Sequence, residues 1–296
     1  MITPRQSRRQ LIKLAGAGAA VSLIGMADAS AMRRSIPVRS AKPRFELGLA
    51  SYTLRKLNLD DTLAMTKRVG LKYICFKSFH LPLESSPEQI SQVVKKVKDA
   101  GLILYGGGVI PMKKEADVDR AFEYAKAAGM KIIVASPAPQ LLPFVDKKVK
   151  QYNIKVAIHN HGPGDKNYPT PDHAYDKIKQ YDKRIGFCHD IGHTQRLGIN
   201  PIASTVRVAD RLHDVHIKDV TGSTAKDSSC EVGRGVIDIP GFLGALLRIN
   251  YSGIVSFEYE KDADDPLAGL AESVGYVKGA LAAIQPSVAK DMFLAP

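Results

Sequence analysis

From residue 46 onward, short apolar runs alternate with longer amphipathic stretches, and the two follow different periods. The runs at 46–51, 72–77, 102–106, 131–136, 154–159, 185–190, 213–217 and 254–259 are rich in β-branched residues and nearly continuous in hydrophobicity. Such runs predict parallel strands covered on both faces. Between them, apolar positions recur at helical spacing near 60–69, 87–100, 115–128, 139–151, 170–181, 199–210, 239–249 and 268–284. The clearest helix has Ser86 as N-cap, Pro87 at its first position and Gly101 at its close. Eight strand-then-helix units are the count that closes an α/β (β/α)8 TIM barrel, a fold of about 250 residues. A doubly wound open sheet alternates in the same way but favours a glycine-rich phosphate loop after its first strand, and Tyr52-Thr53-Leu54 is not one. Gly106-Gly107-Gly108 lacks that spacing too and reads as a tight turn after the third strand. One barrel over 45–288, with a short tail at 289–296, is the organisation expected.

Charge changes this picture more than composition does. The chain is 45% hydrophobic and 24% charged, which is ordinary for a globular protein. Its 42 Lys and Arg against 30 Asp and Glu give a formal charge of +12, a balance that can signal a polyanion partner. The excess is concentrated, however: Arg5, Arg8, Arg9, Lys13, Arg33, Arg34, Arg39, Lys42 and Arg44 all precede the first strand. Beyond them opposite signs alternate along helical stretches, as on solvated faces, so no nucleic-acid partner is expected. The N-terminus resembles a twin-arginine export signal. Ser7-Arg8-Arg9-Gln10-Leu11-Ile12-Lys13 leads into a Gly- and Ala-rich apolar run over 14–26, too short for a good spanning helix, and Ala29-Ser30-Ala31 is a small-residue cleavage site. The expectation is a signal peptide at 1–31, a basic linker at 32–44, and a soluble periplasmic protein without a membrane partner after cleavage. Cys75 and Cys188 fall inside strand-like runs as buried free thiols, and no C-x-x-C spacing involving Cys230 suggests structural zinc.

The chemistry gathers late in the chain. In a TIM barrel, side chains at the C-terminal ends of the strands converge on one face. Here the fifth strand ends on His159, the sixth on Asp190, the seventh carries His216 and the eighth carries Glu258. A single strand-end His or carboxylate is usually structural. Two of each buried in register would be costly without a cation to pair them.

On three segments the chain resembles the sugar (phosphate) isomerase/epimerase superfamily with a xylose isomerase-like barrel. They are Phe187-Cys188-His189-Asp190-Ile191-Gly192-His193, His213-Asp214-Val215-His216-Ile217-Lys218-Asp219, and Tyr251-Ser252-Gly253 leading to Ser256-Phe257-Glu258-Tyr259-Glu260. The resemblance covers essentially the whole mature chain. It implies one divalent metal held by Asp190, His216, Glu258 and residue 159, with His193 behind the ligands or touching substrate. It further implies Arg234 as a substrate-binding residue and Lys77 and His80 as lining of the same mouth.

One position departs from the family pattern. Epimerase-type members usually carry Glu-Asn-His where this chain reads His159-Asn160-His161. With two imidazoles and two carboxylates, a bound divalent ion is a stronger Lewis acid, and nitrogen favours Mn, Zn, Co or Fe over Mg. A coordinated imidazole cannot be the second base of a two-base epimerisation. One-base chemistry is expected instead: Glu258 or His161 removes a proton beside a sugar carbonyl, giving an enediolate. Return of the proton is isomerisation; loss of a leaving group is β-elimination from a 3-keto-glycoside. An exported enzyme meets free sugars or glycosides rather than sugar phosphates, and a homo-oligomer is left open. Two rivals remain: an apurinic-site endonuclease, which needs more ligands than Tyr52, Gly106 and Ser136 supply on the first, third and fourth strands, and a non-catalytic sugar-binding barrel.

Overall fold

A computed structural model describes residues 43–294. The expected signal peptide, and the linker as far as residue 42, lie outside the described residues. Eight parallel strands close into a barrel: β1 (Glu46–Ala50), β2 (Tyr73–Phe76), β3 (Ile103–Met112), β4 (Ile132–Pro137), β5 (Lys155–His159), β6 (Ile185–Asp190), β7 (Leu212–Ile217) and β8 (Ile254–Phe257). Their order around the barrel is β1-β8-β7-β6-β5-β4-β3-β2, returning to β1. The helices that follow them are α1 (Leu59–Arg68), α2 (Pro87–Asp99), α3 (Glu115–Ala127), α4 (Leu142–Tyr152), α5 (Pro171–Ile178), α6 (Ile191–Gln195), α7 (Pro201–Arg207), α8 (Ile239–Arg248) and α9 (Leu267–Leu294). This is the (β/α)8 barrel that the periodicity predicts.

Local sequence explains where the helices begin. Ser86 and Gln89 form a reciprocal capping box on α2, and Asn58, Thr170, Asn200 and Asp238 cap α1, α5, α7 and α8 through their side chains. Two elements escape the periodicity: the single turn of α6 and a small antiparallel ladder, Asp219–Val220 with Ser229–Cys230, between β7 and α8. The barrel is filled from inside by Cys75, Tyr105, Ile132, Val134, Ala157 and Cys188, and all three cysteines are free thiols. The larger apolar layer lies between strands and helices.

The triple glycine is a correction. It lies within β3, which runs on to Met112, rather than forming a turn. A Cβ on Gly106 would meet Ile132 Cγ2 at 2.6 Å, and one on Gly108 would meet the Val134 carbonyl oxygen at 2.0 Å. The glycines therefore let β3 press against β4 where their register shifts between Gly107 and Ile110. A second difference concerns α9. Its Leu267–Ile284 segment is long and apolar enough to cross a membrane, with mean hydropathy 1.3. Leu270, Val274, Val277 and Leu281 are buried in the core, as expected of the last helix of a barrel.

Candidate metal centre

His159, Asp190 and His216 sit at the C-terminal ends of β5, β6 and β7, and Glu258 follows β8 directly. Register sets them side by side: Asp190 pairs with His216, which pairs in turn with Ser256 two residues before Glu258. Their four candidate ligand atoms lie within 4.8 Å of one another, and all four residues are buried. His159 Nε2 is 3.1 Å from His216 Nδ1 and 3.5 Å from Asp190 Oδ2, while His216 Nδ1 is 3.2 Å from Glu258 Oε2.

Asp190 is divided between two tasks. Its Oδ1 accepts a 2.8 Å hydrogen bond from His193 N as the N-cap of α6, which leaves Oδ2 facing the cluster, 2.9 Å from Lys218 Nζ. Asn160 grips its backbone in both directions: Asp190 N donates to Asn160 Oδ1, and Asn160 Nδ2 donates to the Asp190 carbonyl. Two converging imidazole nitrogens and two buried carboxylate oxygens facing them match the donor set of a borderline divalent ion. The residues fit the metal that the sequence implies.

Electrostatics favour the ligand-competent forms of three of the four residues; at His216 the lowering by burial is outweighed by the nearby Glu258, Asp214 and Asp190, which raise it. Burial pushes His159 well below the ordinary imidazole range, so it is neutral. Burial alone would raise Asp190, but His193, Lys218 and the contact with His159 outweigh it and hold the carboxyl well below the usual range. Burial also brings His193 down to about 4, so at neutral pH the cation beside Asp190 is Lys218. The same opposition holds Glu258 low, burial being outweighed first by Lys218 and then by His216.

The remaining candidates divide. His193 is at the cluster, with Nε2 3.8 Å from Asp190 Oδ2. His161 stands on the rim, 42% exposed, with its ring 4.6 Å from that of His159 and Nδ1 3.4 Å from Asp165 Oδ2. Lys77 places its ammonium 5.0 Å from the centre of the Tyr52 ring, just past β2. His80 does not line the mouth: it is 5% exposed and its Nε2 contacts Thr62 Oγ1 at 2.9 Å and the Leu57 carbonyl at 3.1 Å. Arg234 is exposed and held in a two-point pair with Glu272 of α9.

Sequence reasoning passed over Lys218, Asn160 and Glu260. Lys218 is 2% exposed, and its Nζ lies 2.9 Å from Asp190 Oδ2, 3.0 Å from Glu258 Oε2 and 2.8 Å from Glu260 Oε1. The available signal was parity. Asp214, His216 and Lys218 alternate on one strand face, as Ser256, Glu258 and Glu260 do on the next.

Residues 63–280 match the family described as Xylose isomerase-like TIM barrel. The rhizopine catabolism protein MocC of Rhizobium meliloti is 27% identical over 132 residues, 39% of this chain and 40% of that protein, so the match spans less than half of that relative. Among solved structures, an L-ribulose 3-epimerase has a TM-score of 0.68 at 14% identity, over 85% of this chain and 98% of its own. The apo form of 3-keto-D-glucoside 4-epimerase from E. coli has a TM-score of 0.65 at 18% identity, over 79% of this chain and 99% of its own. At such identities the likeness is one of fold.

Proposed function

The chain belongs to the xylose isomerase-like TIM barrel family, and from that premise we propose that it is a divalent-metal-dependent sugar enzyme of the isomerase/epimerase type. The observation that carries the proposal is the buried convergence of His159, Asp190, His216 and Glu258 at the barrel mouth. A bound Mn, Zn, Co or Fe ion would polarise a sugar carbonyl and a neighbouring hydroxyl and acidify the C–H between them. The chain's own groups then divide the proton work. Glu258, ionised at neutral pH, is the acceptor of the carbon-bound proton. His161, on the rim and steadied by Asp165, is the second group able to give or take a proton. His159 is neutral and faces the other ligands at the place where two-base inversion needs a second carboxylate. Delivery of that proton by Glu258 to the neighbouring carbon on the same face, with the hydroxyl proton passing between the two oxygens, interconverts aldose and ketose and is therefore the favoured outcome.

A second reading rests on His161. An exposed imidazole at the mouth can protonate a departing glycosidic oxygen while Glu258 takes the proton beside a 3-keto group, which is β-elimination. The likeness of fold to an enzyme named for a 3-keto-D-glucoside supports this substrate class. Twin-arginine export to the periplasm, proposed from Ser7-Arg8-Arg9 and the run that follows, would supply non-phosphorylated sugars and glycosides for either reaction.

The test is NMR in D2O of metal-reconstituted protein with free sugars, glycosides and 3-keto-glycosides. Deuterium uptake with ketose formation supports isomerisation, and aglycone release supports elimination. Absence of both across the panel, with metal bound, would instead favour a sugar-binding barrel. A single ion per chain is expected by metal analysis; a three-ion cluster would point to a nuclease.

A further inference from the structure

The cation beside the ligands is itself a buried part of the site. Two of the oxygens that Lys218 approaches are those that face the imidazoles. Asp190 Oδ2 lies 2.9 Å from its Nζ and 3.5 Å from His159 Nε2; Glu258 Oε2 lies 3.0 Å from its Nζ and 3.2 Å from His216 Nδ1. An ammonium and a divalent ion would share one pair of carboxylate oxygens. The third oxygen at Nζ, Glu260 Oε1 at 2.8 Å, belongs to a side chain outside the four-residue ligand set.

A second feature shows that the fold makes room for this lysine. A Cβ on Gly192, in the turn of α6 that Asp190 caps, would meet Lys218 Cγ at 2.8 Å and Cδ at 3.0 Å. The aliphatic stem crosses the helix at the one residue without a side chain. Gly192 and Lys218 lie on different strand–helix units, so the lysine is built into the site rather than laid over it.

Resting on the metal-centre reading above, we propose that Lys218 is an internal counter-cation that competes with the divalent ion for Asp190 and Glu258, with Glu260 holding the ammonium when the ion binds. Like charges on shared carboxylates in a buried site repel strongly. The ammonium must lean toward Glu260 on loading, and the site binds metal more weakly than its four ligands would alone. Lys218 is thus a positioning residue that sets metal affinity and release.

The experiment is calorimetric titration of metal-depleted protein with Mn2+ or Zn2+. Lys218→Met is expected to bind the ion about tenfold tighter or more. Glu260→Gln is expected to bind it several-fold more weakly, because the ammonium then rests wholly on the ligands. A general loss of structure would weaken both, so opposite signs distinguish the proposal from a packing role. Thermal melts followed by circular dichroism check that each variant folds. Should Lys218→Met unfold, Lys218→Gln carries the same expectation. Equal or weaker metal binding by a folded Lys218 variant overturns the competition, and an unchanged Glu260→Gln overturns the part given to Glu260. No metal binding by the wild type would instead sink the metal centre itself.

Discussion

At the residue scale, the sharpest expectations fall on Glu258 and His159. Glu258 is both a ligand candidate and the proposed proton acceptor, so Glu258→Gln should cut turnover by about 10²–10⁴-fold and weaken metal binding; unchanged steady-state rates would remove it from the mechanism. His159→Glu adds a third carboxylate, which should shift metal preference toward Mg and Mn in competition titrations and permit epimerase-like deuterium exchange. Two other buried groups act on stability with opposite signs. Burial pushes His189, hydrogen-bonded between Thr205 and Thr194, down to about 4, and pushes Asp214 up to about 7. Between about pH 4 and 6.5 the unfolded chain carries the extra proton on His189, so that term weakens the fold as pH falls. Over nearly the same window the folded chain carries the extra proton on Asp214, so that term weakens the fold as pH rises. In metal-free protein the two oppose each other. Asp214→Asn should therefore steepen acid destabilisation in urea melts, by up to about 1.4 kcal/mol per pH unit, and His189→Gln should make it shallower without changing its sign, because burial also brings His193 and His213 down to about 4. Parallel slopes in the two variants would contradict the assignment.

At the element scale, β6 and its connections fix the centre. Arg211, 4% exposed, donates to the carbonyls of Lys179, Tyr181, Asp182 and Ile185 and so ties the end of α5 and the loop after it to the start of β6. Arg211→Met leaves those carbonyls short of donors and should cost about 3 kcal/mol in denaturant unfolding, with looser metal binding as a consequence. A Cβ on Gly186 would meet the Arg211 carbonyl oxygen at 2.1 Å, so the glycine lets β6 and β7 lie close enough to set Asp190 beside His216. The capping box on α2 is local by comparison: Ser86→Ala should cost about 1 kcal/mol without affecting the metal centre. These elements also mark what a linear reading can find. Capping signals and strand hydrophobicity are nearest-neighbour properties, and they place most elements within a residue or two. The glycines of β3 mislead it because their purpose, close contact with Ile132 and Val134, belongs to the neighbouring strand.

At the scale of the whole molecule, a metal bound at the proposed centre should be coupled to folding. Two carboxylates and two imidazoles buried among 4.8 Å contacts are paired in part by Lys218 alone, so a divalent ion should stabilise the barrel as a whole. At 100-fold excess over its dissociation constant the gain is about 2.7 kcal/mol, roughly 5–10 °C in Tm, removable with EDTA. A melt insensitive to Mn2+, Zn2+ and EDTA would speak against the centre. His80 shows the limit of placing site residues by chain position. It lies in a loop past the end of β2, yet turns into the shell beside Thr62.

The sequence by itself determined the eight alternating units, hence the barrel, and the four residues that converge at its mouth, because strand period and strand ends fix which side chains face inward. Only the tertiary structure decided what stands among them. Lys218 reaches across α6 through the space at Gly192, Asn160 grips the backbone of Asp190, and Glu260 completes the cation's shell. Those contacts join residues of different strand–helix units, and no local pattern in the chain encodes a distance between such units.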